Sequence, residues 1–184
     1  MKHELEEKYT VIDAGPEFVG KSLRVQKELV SDGGATFFVD IVRFPDSVAI
    51  LPIKENGMVI LERHYRHPIK ETILEVPAGK LEPNERTEDG ARRELLEETG
   101  FEAVTIQNVG SIFAAPGYST EIIHLFIAKV KMEGEHVQKL EPTERIRLEE
   151  FNLQEISELI SKDELRDSMT ISLIFIAKLK GMLK

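Results

Sequence analysis

Between Gly79 and Phe101 the chain reads GKLEPNERTEDGARRELLEETGF. The stretch from Thr87 to Thr99 has the marks of a helix. Thr87 stands as N-cap, acidic residues follow in the first turn, and Gly100 supplies a stop. On that helix Glu94, Glu97 and Glu98 fall at i, i+3 and i+4, on one face. Three carboxylates that close repel one another, and a hard divalent cation with oxygen ligands relieves the repulsion. Arg93 points elsewhere and is placed to pair with Glu85, pinning the preceding loop to the helix. Ala91 and Leu95, four apart, read as the buried face. Gly90 costs about 1 kcal/mol against Ala in a helix interior, and close packing against a sheet would explain it. Taken alone, Glu-Leu-Leu-Glu-Glu fits a solvated acidic helix better than a metal site. Gly79, Glu85 and Gly100 at fixed distances reverse that balance.

These positions spell G-x5-E-x7-R-E-U-x-E-E-x-G-U, with Leu95 and Phe101 as the apolar U residues. The segment resembles the Nudix box. Taking each fixed position at roughly one in fifteen, a chance match in such a chain is on the order of one in a million. The resemblance implies cleavage of a nucleoside diphosphate linked to another group. It also implies an α/β fold, an α/β/α sandwich around a mixed β-sheet. Residues 1–44 are then an N-terminal β extension that serves dimerisation and the substrate side. Residues 45–184 are the Nudix hydrolase domain, ending in a helix.

The rest of the chain is consistent with this. A length of 184 residues and 41% hydrophobic content suit one packed domain. No run of eighteen apolar residues occurs, so no membrane span is expected. The first ten residues, MKHELEEKYT, lack an apolar signal core, which points to the cytoplasm. Zero cysteines exclude disulfides, thiol catalysis and cysteine-ligated zinc. A net charge of −9 argues against a nucleic-acid surface. Anionic phosphates therefore need a bound cation or a local basic patch. Strands are expected over 9–13, 22–30 and 35–43, with Gly33-Gly34 as a turn. A hairpin over 48–53 and 58–63 turns at Glu55-Asn56-Gly57. Further strands are expected at 72–76, 104–114 and 122–132, and helices at 153–161 and 165–183.

Leu61-Glu62-Arg63-His64-Tyr65-Arg66 is similar to a strand-end motif of ADP-ribose pyrophosphatases that usually ends Gln-aromatic-Arg, with His64 in place of the Gln. Glu75-Val76-Pro77-Ala78-Gly79 matches their lead-in to the box. Pro116, sixteen positions beyond Gly100, matches their downstream proline, with Ala115 where Ser is usual. This subfamily resemblance implies hydrolysis of ADP-ribose to AMP and ribose 5-phosphate, with Mg²⁺ as cofactor and Mn²⁺ as a substitute. It implies a metal set of Glu94, Glu98 and the Ala78 carbonyl, with Glu97 and Glu98 serving catalysis and Glu97 as ligand or support. Gly79, Glu85 and Arg93 are structural. Arg66, Asp40 and Pro116 are the substrate-side residues. Arg66 has the alternative of pairing with a surface carboxylate, and Pro116 of shaping its loop. Phe37 and Phe38 are core residues by default, with an adenine platform as the other reading. The water-positioning base is expected on a loop after the box, at Glu144, with Glu141 as rival. The resemblance also implies that the N-terminal strands pair across a two-fold axis in a homodimer, and a strand-rich stretch too small to fold alone needs a partner or the main domain. GDP-mannose or another nucleotide sugar, a nucleotide-triphosphate or mRNA-cap substrate, and ligand sensing without hydrolysis are the alternatives.

Overall fold

The computed structural model describes residues 9–131, 137–140, 142 and 144–183. The chain divides into two compact units, one reaching Asp46 and including Phe113–Ile122, the other Ser47–Ile112 with the chain from Ile123 onward.

The first unit is a four-stranded antiparallel sheet of β1 (Thr10–Ala14), β2 (Phe18–Val19), β3 (Arg24–Ser31) and β4 (Thr36–Arg43). The expected Gly33-Gly34 turn joins β3 to β4. Gly33 adopts φ 89°, open to a residue without a Cβ. The Asp32 carboxylate accepts the amides of Gly34 and Ala35 at 2.9 and 2.8 Å. Strand β2 went unforeseen because two residues carry no periodicity. In the loop of the same unit, Val42 donates to the Tyr118 carbonyl and accepts from the Thr120 amide.

The second unit holds a seven-stranded mixed sheet. Its strands are β5 (Ser47–Lys54), β6 (Val59–Arg66), β7 (Glu71–Glu75), β8 (Ala78–Lys80), β9 (Ala103–Phe113), β10 (Ile122–Val130) and β11 (Ile146–Phe151). Strand β5 runs parallel to β10 and antiparallel to β6 and β8. After their hairpin β5 and β6 diverge. Strand β7 pairs with β6 and β8 pairs with β5, so the 76–77 connection sits in the fork. Pro77 accepts the Ile50 amide there at 2.9 Å.

Alternation along the strands splits the apolar residues between two faces. Leu51, Ile53, Leu61, Leu74 and Ile127 pack against Leu173 and Ala177 of α3 (Ser168–Leu179) and Ile156 of α2 (Leu153–Ser161). Val48, Ile50, Ile60 and Phe126 pack against Ala91 and Leu95 of α1 (Thr87–Thr99), and against Phe101. Helices thus cover both faces of a mixed sheet, the α/β/α sandwich expected. The last helix is shorter than its apolar periodicity suggests. Asp167 caps it by accepting from the Thr170 amide at 2.8 Å, and Gly181 beyond it adopts φ 67°. No helix among the described residues is long and apolar enough to cross a membrane.

Candidate active site

Helix α1 carries the box. Its N-cap is Arg86, without a side-chain capping bond, and Thr87 is the first helical residue, correcting the expected cap. Glu88 and Asp89 in the first turn complement the helix dipole instead. Gly100 ends the helix at φ 74°, as expected, and donates to the Leu96 carbonyl. The reason for Gly90 also differs from the expectation. A Cβ there would lie 2.5 Å from Leu81 Cδ2 and 3.0 Å from Glu85 Oε2, so the box loop fills the space, not the sheet. A Cβ at Gly79 would lie 2.1 Å from the Glu94 carboxylate. Gly79 therefore leaves room for Glu94.

Arg93 uses every donor it has. Nε and Nη2 form a fork on Glu85 at 2.8 and 2.9 Å, and Nη2 also reaches the Lys80 carbonyl at 3.1 Å. Nη1 donates to Glu94 at 2.7 Å and Glu97 at 3.2 Å. The predicted pair with Glu85 is present, but Arg93 does not point away from the acidic face. It neutralises part of it. The guanidinium holds the Glu85 carboxyl below its usual range, and Glu85 Oε2 accepts the Glu82 amide as well.

The carboxylates of α1 sit in unlike surroundings. Glu98 is buried, 3% exposed, and accepts the Ala78 amide at 2.8 Å. Burial, and then the charges of Glu62 and Glu94, push its carboxyl well above the usual range. Burial raises Glu94 too, against the pull of Arg93. Glu97 is half-exposed. Residues 137–140 dock on the C-terminal carbonyls of α1. Nε2 of the Gln138 side chain donates to the Glu98 carbonyl at 2.6 Å and the Lys139 backbone amide to that of Glu97 at 2.7 Å. Glu144 follows that segment, close enough that its charge raises Glu62, Glu94 and Glu98. Glu141 lies outside the described residues.

Oxygen donors crowded at raised carboxyls, beside a glycine that keeps the space clear, fit a hard divalent cation. Glu94 and Glu98 would hold it, with Glu97 at the rim and the Ala78 backbone at the buried end.

A model described as the NUDIX domain matches residues 43–171. The chain belongs to the Nudix family. An ADP-ribose pyrophosphatase of Bacillus subtilis (strain 168) is 34% identical over 145 residues, 79% of this chain and 78% of that protein. A methanol dehydrogenase activator of Bacillus methanolicus is 34% identical over 168 residues, 91% of each chain. The crystal structure of an ADP compounds hydrolase aligns with a TM-score of 0.82 at 22% identity over 96% of each chain, a likeness of fold.

In this Nudix chain Arg66 pairs with Glu75, through Nη2 to Oε1 at 2.8 Å and Nε to Oε2 at 3.1 Å. Its carboxylate partner is buried, not at the surface. Asp40, on β4, is exposed and lies 3.8 Å from Lys27 Nζ. Pro116 lies in the 113–122 segment of the same unit. Phe37 and Phe38 are exposed, so the core reading fails for both. Tyr9 meets the Phe37 ring edge-on, and Lys27 lies over Phe38. Sequence reasoning missed Glu62, which is buried on β6 with its charge acting on Glu98. A Glu directly after the apolar run Val59-Ile60-Leu61 was the available signal, since an isolated acid entering a buried strand needs a partner.

Proposed function

We propose that this chain hydrolyses ADP-ribose to AMP and ribose 5-phosphate, with Mg²⁺ as the cofactor and Mn²⁺ as its substitute. The observation that carries this is the α1 face, where Glu94 and Glu98 converge beside Gly79 with raised carboxyls. The shared length and identity with the B. subtilis ADP-ribose pyrophosphatase support the substrate. When bound, the cation neutralises phosphate charge and lowers the pKa of the attacking water. Glu144 accepts a proton from that water as its oxygen bonds to phosphorus. The bridging P–O bond breaks, and the departing phosphate takes up a proton from solvent. Arg66, with one edge braced on Glu75, offers its guanidinium to the phosphates. Asp40 serves the nucleobase side, and Pro116 is a further substrate-side residue.

In this reading residues 1–44 form a dimerisation extension and 45–184 the catalytic domain of a cytoplasmic homodimer. Exposed Phe18, Val19 and Phe38 support a second copy as the partner of the extension. Light scattering at micromolar concentration should give twice the chain mass, and a monomer would refute the dimer. A panel of ADP-ribose, GDP-mannose, ADP-glucose and nucleoside triphosphates with Mg²⁺ tests the substrate. AMP should appear fastest from ADP-ribose. Faster cleavage of GDP-mannose would keep the chemistry and discard this substrate.

A further inference from the structure

A second cluster lies on the α1 side of the sheet, outside the box. Glu62 and His64 are two apart on β6 and share a face with Ile60. Glu75 stands directly opposite Glu62 on β7. All three are buried, at 1%, 5% and 2% exposure. One ligand atom from each lies within 4.8 Å of the others. Glu62 Oε1 and His64 Nδ1 are buried without a hydrogen-bond partner, and Glu75 Oε1, which also lacks an aligned hydrogen bond, carries its ion pair to Arg66 Nη2 at 2.8 Å. His64 Nδ1 approaches Glu75 Oε1 to 2.8 Å, but without hydrogen-bond alignment.

Like charges directly opposite on neighbouring strands destabilise a sheet, and burial strengthens the repulsion. Arg66 supplies one positive charge, to Glu75. Glu62 also faces the charges of Glu144 and Glu94, and its own charge acts on Glu98. A buried acid in such company needs protonation or a cation. The converging donors are one imidazole nitrogen and two carboxylate oxygens. Mg²⁺ prefers oxygen alone, whereas an imidazole with carboxylates suits Mn²⁺, Fe²⁺ or Zn²⁺.

We propose that Glu62, His64 and Glu75 form a binding site for a divalent transition-metal ion, separate from the carboxylates of the α1 box. Glu75 Oε1 turns to the ion, giving up its contact with Arg66 Nη2, while Oε2 keeps Arg66 Nε. The site does not depend on the identity of the hydrolysed substrate.

The test uses the intact, metal-stripped chain loaded with Mn²⁺ in excess Mg²⁺, which competes for the all-oxygen site. Pulsed electron paramagnetic resonance on the wild type should show nitrogen coupling to the bound Mn²⁺. His64→Gln should lose that coupling and weaken Mn²⁺ binding at least about 10–100-fold, the range for disturbing even an outer-shell partner. Glu62→Gln should keep the coupling at similarly reduced affinity. Absence of nitrogen coupling in the wild type overturns the proposal, whether or not the variants fold. So does Mn²⁺ binding by folded His64→Gln with wild-type affinity and coupling.

Discussion

Replacing Gly79 with Ala isolates the role of space beside Glu94. The new Cβ would lie 2.1 Å from Glu94 Cδ and Oε1, and 2.3 Å from Oε2. Ordinary contact is about 3.5 Å, so the carboxylate must retreat by more than about 1 Å. Gly79 pairs with Val48 inside the sheet, so the backbone resists moving instead. Its φ lies outside the left-handed range, so Ala adds bulk without backbone strain. Overpacking costs about 1–3 kcal/mol, and a movable side-chain end sets the lower part of that range. For a chain this size about 1 kcal/mol lowers Tm by roughly 2–4 °C. A misplacement of about 1 Å in a catalytic array can cost about 10²-fold in rate. Gly79→Ala should therefore lose about 100-fold in kcat on ADP-ribose, with a Tm within a few degrees of wild type. Calorimetry and steady-state AMP release measure both. Wild-type kcat in a folded Gly79→Ala protein would show that catalysis does not need Glu94 in its observed position.

Two further predictions address charge. Glu144→Gln should reduce turnover by about 10²–10⁴-fold, the usual contribution of a general base, with little change in Tm. Unchanged turnover would remove Glu144 from the chemistry. Glu94 and Glu98 have carboxyls raised above the ordinary 4.5. The fold thus holds these protons more tightly than the unfolded chain does. Their contribution to metal-free stability is full below about pH 4.5 and declines as pH rises through the raised values. A cation binds the ionised form and reverses the trend. Mg²⁺ at about 100 times its Kd adds about 2.7 kcal/mol, or roughly 5–10 °C in Tm. The Tm gap between Mg²⁺ and EDTA should widen from about pH 5 to about pH 8, and an absent gap at the higher pH would count against the site.

The helix pattern and turn residues were legible because they act locally. Gly100, Gly33 and the Glu94/Glu97/Glu98 spacing each follow from backbone geometry and a short window of sequence. The two-sided sandwich was legible only through resemblance to a family. Strand β8 was not readable, since Ala78-Gly79-Lys80 has little strand propensity and exists through pairing with β5. The Gly90 environment was missed for a related reason. Leu81 and Glu85 reach it through a loop fold that no periodicity encodes. Glu62 was overlooked as part of a motif string. Its register opposite Glu75 and its proximity to Glu98 emerge only when β6, β7 and α1 are brought together.

In the proposed reaction the α1 carboxylates hold the cation that drives ADP-ribose hydrolysis. The most direct measurement is AMP release from ADP-ribose by wild type and Glu98→Gln in Mg²⁺, and by wild type in EDTA. Gln can still accept the Ala78 amide, so the substitution removes charge while keeping that hydrogen bond. Wild type should turn over in Mg²⁺ and not in EDTA, and folded Glu98→Gln should lose at least about 100-fold. Full activity in EDTA, or wild-type turnover by Glu98→Gln, would contradict this role for the carboxylates.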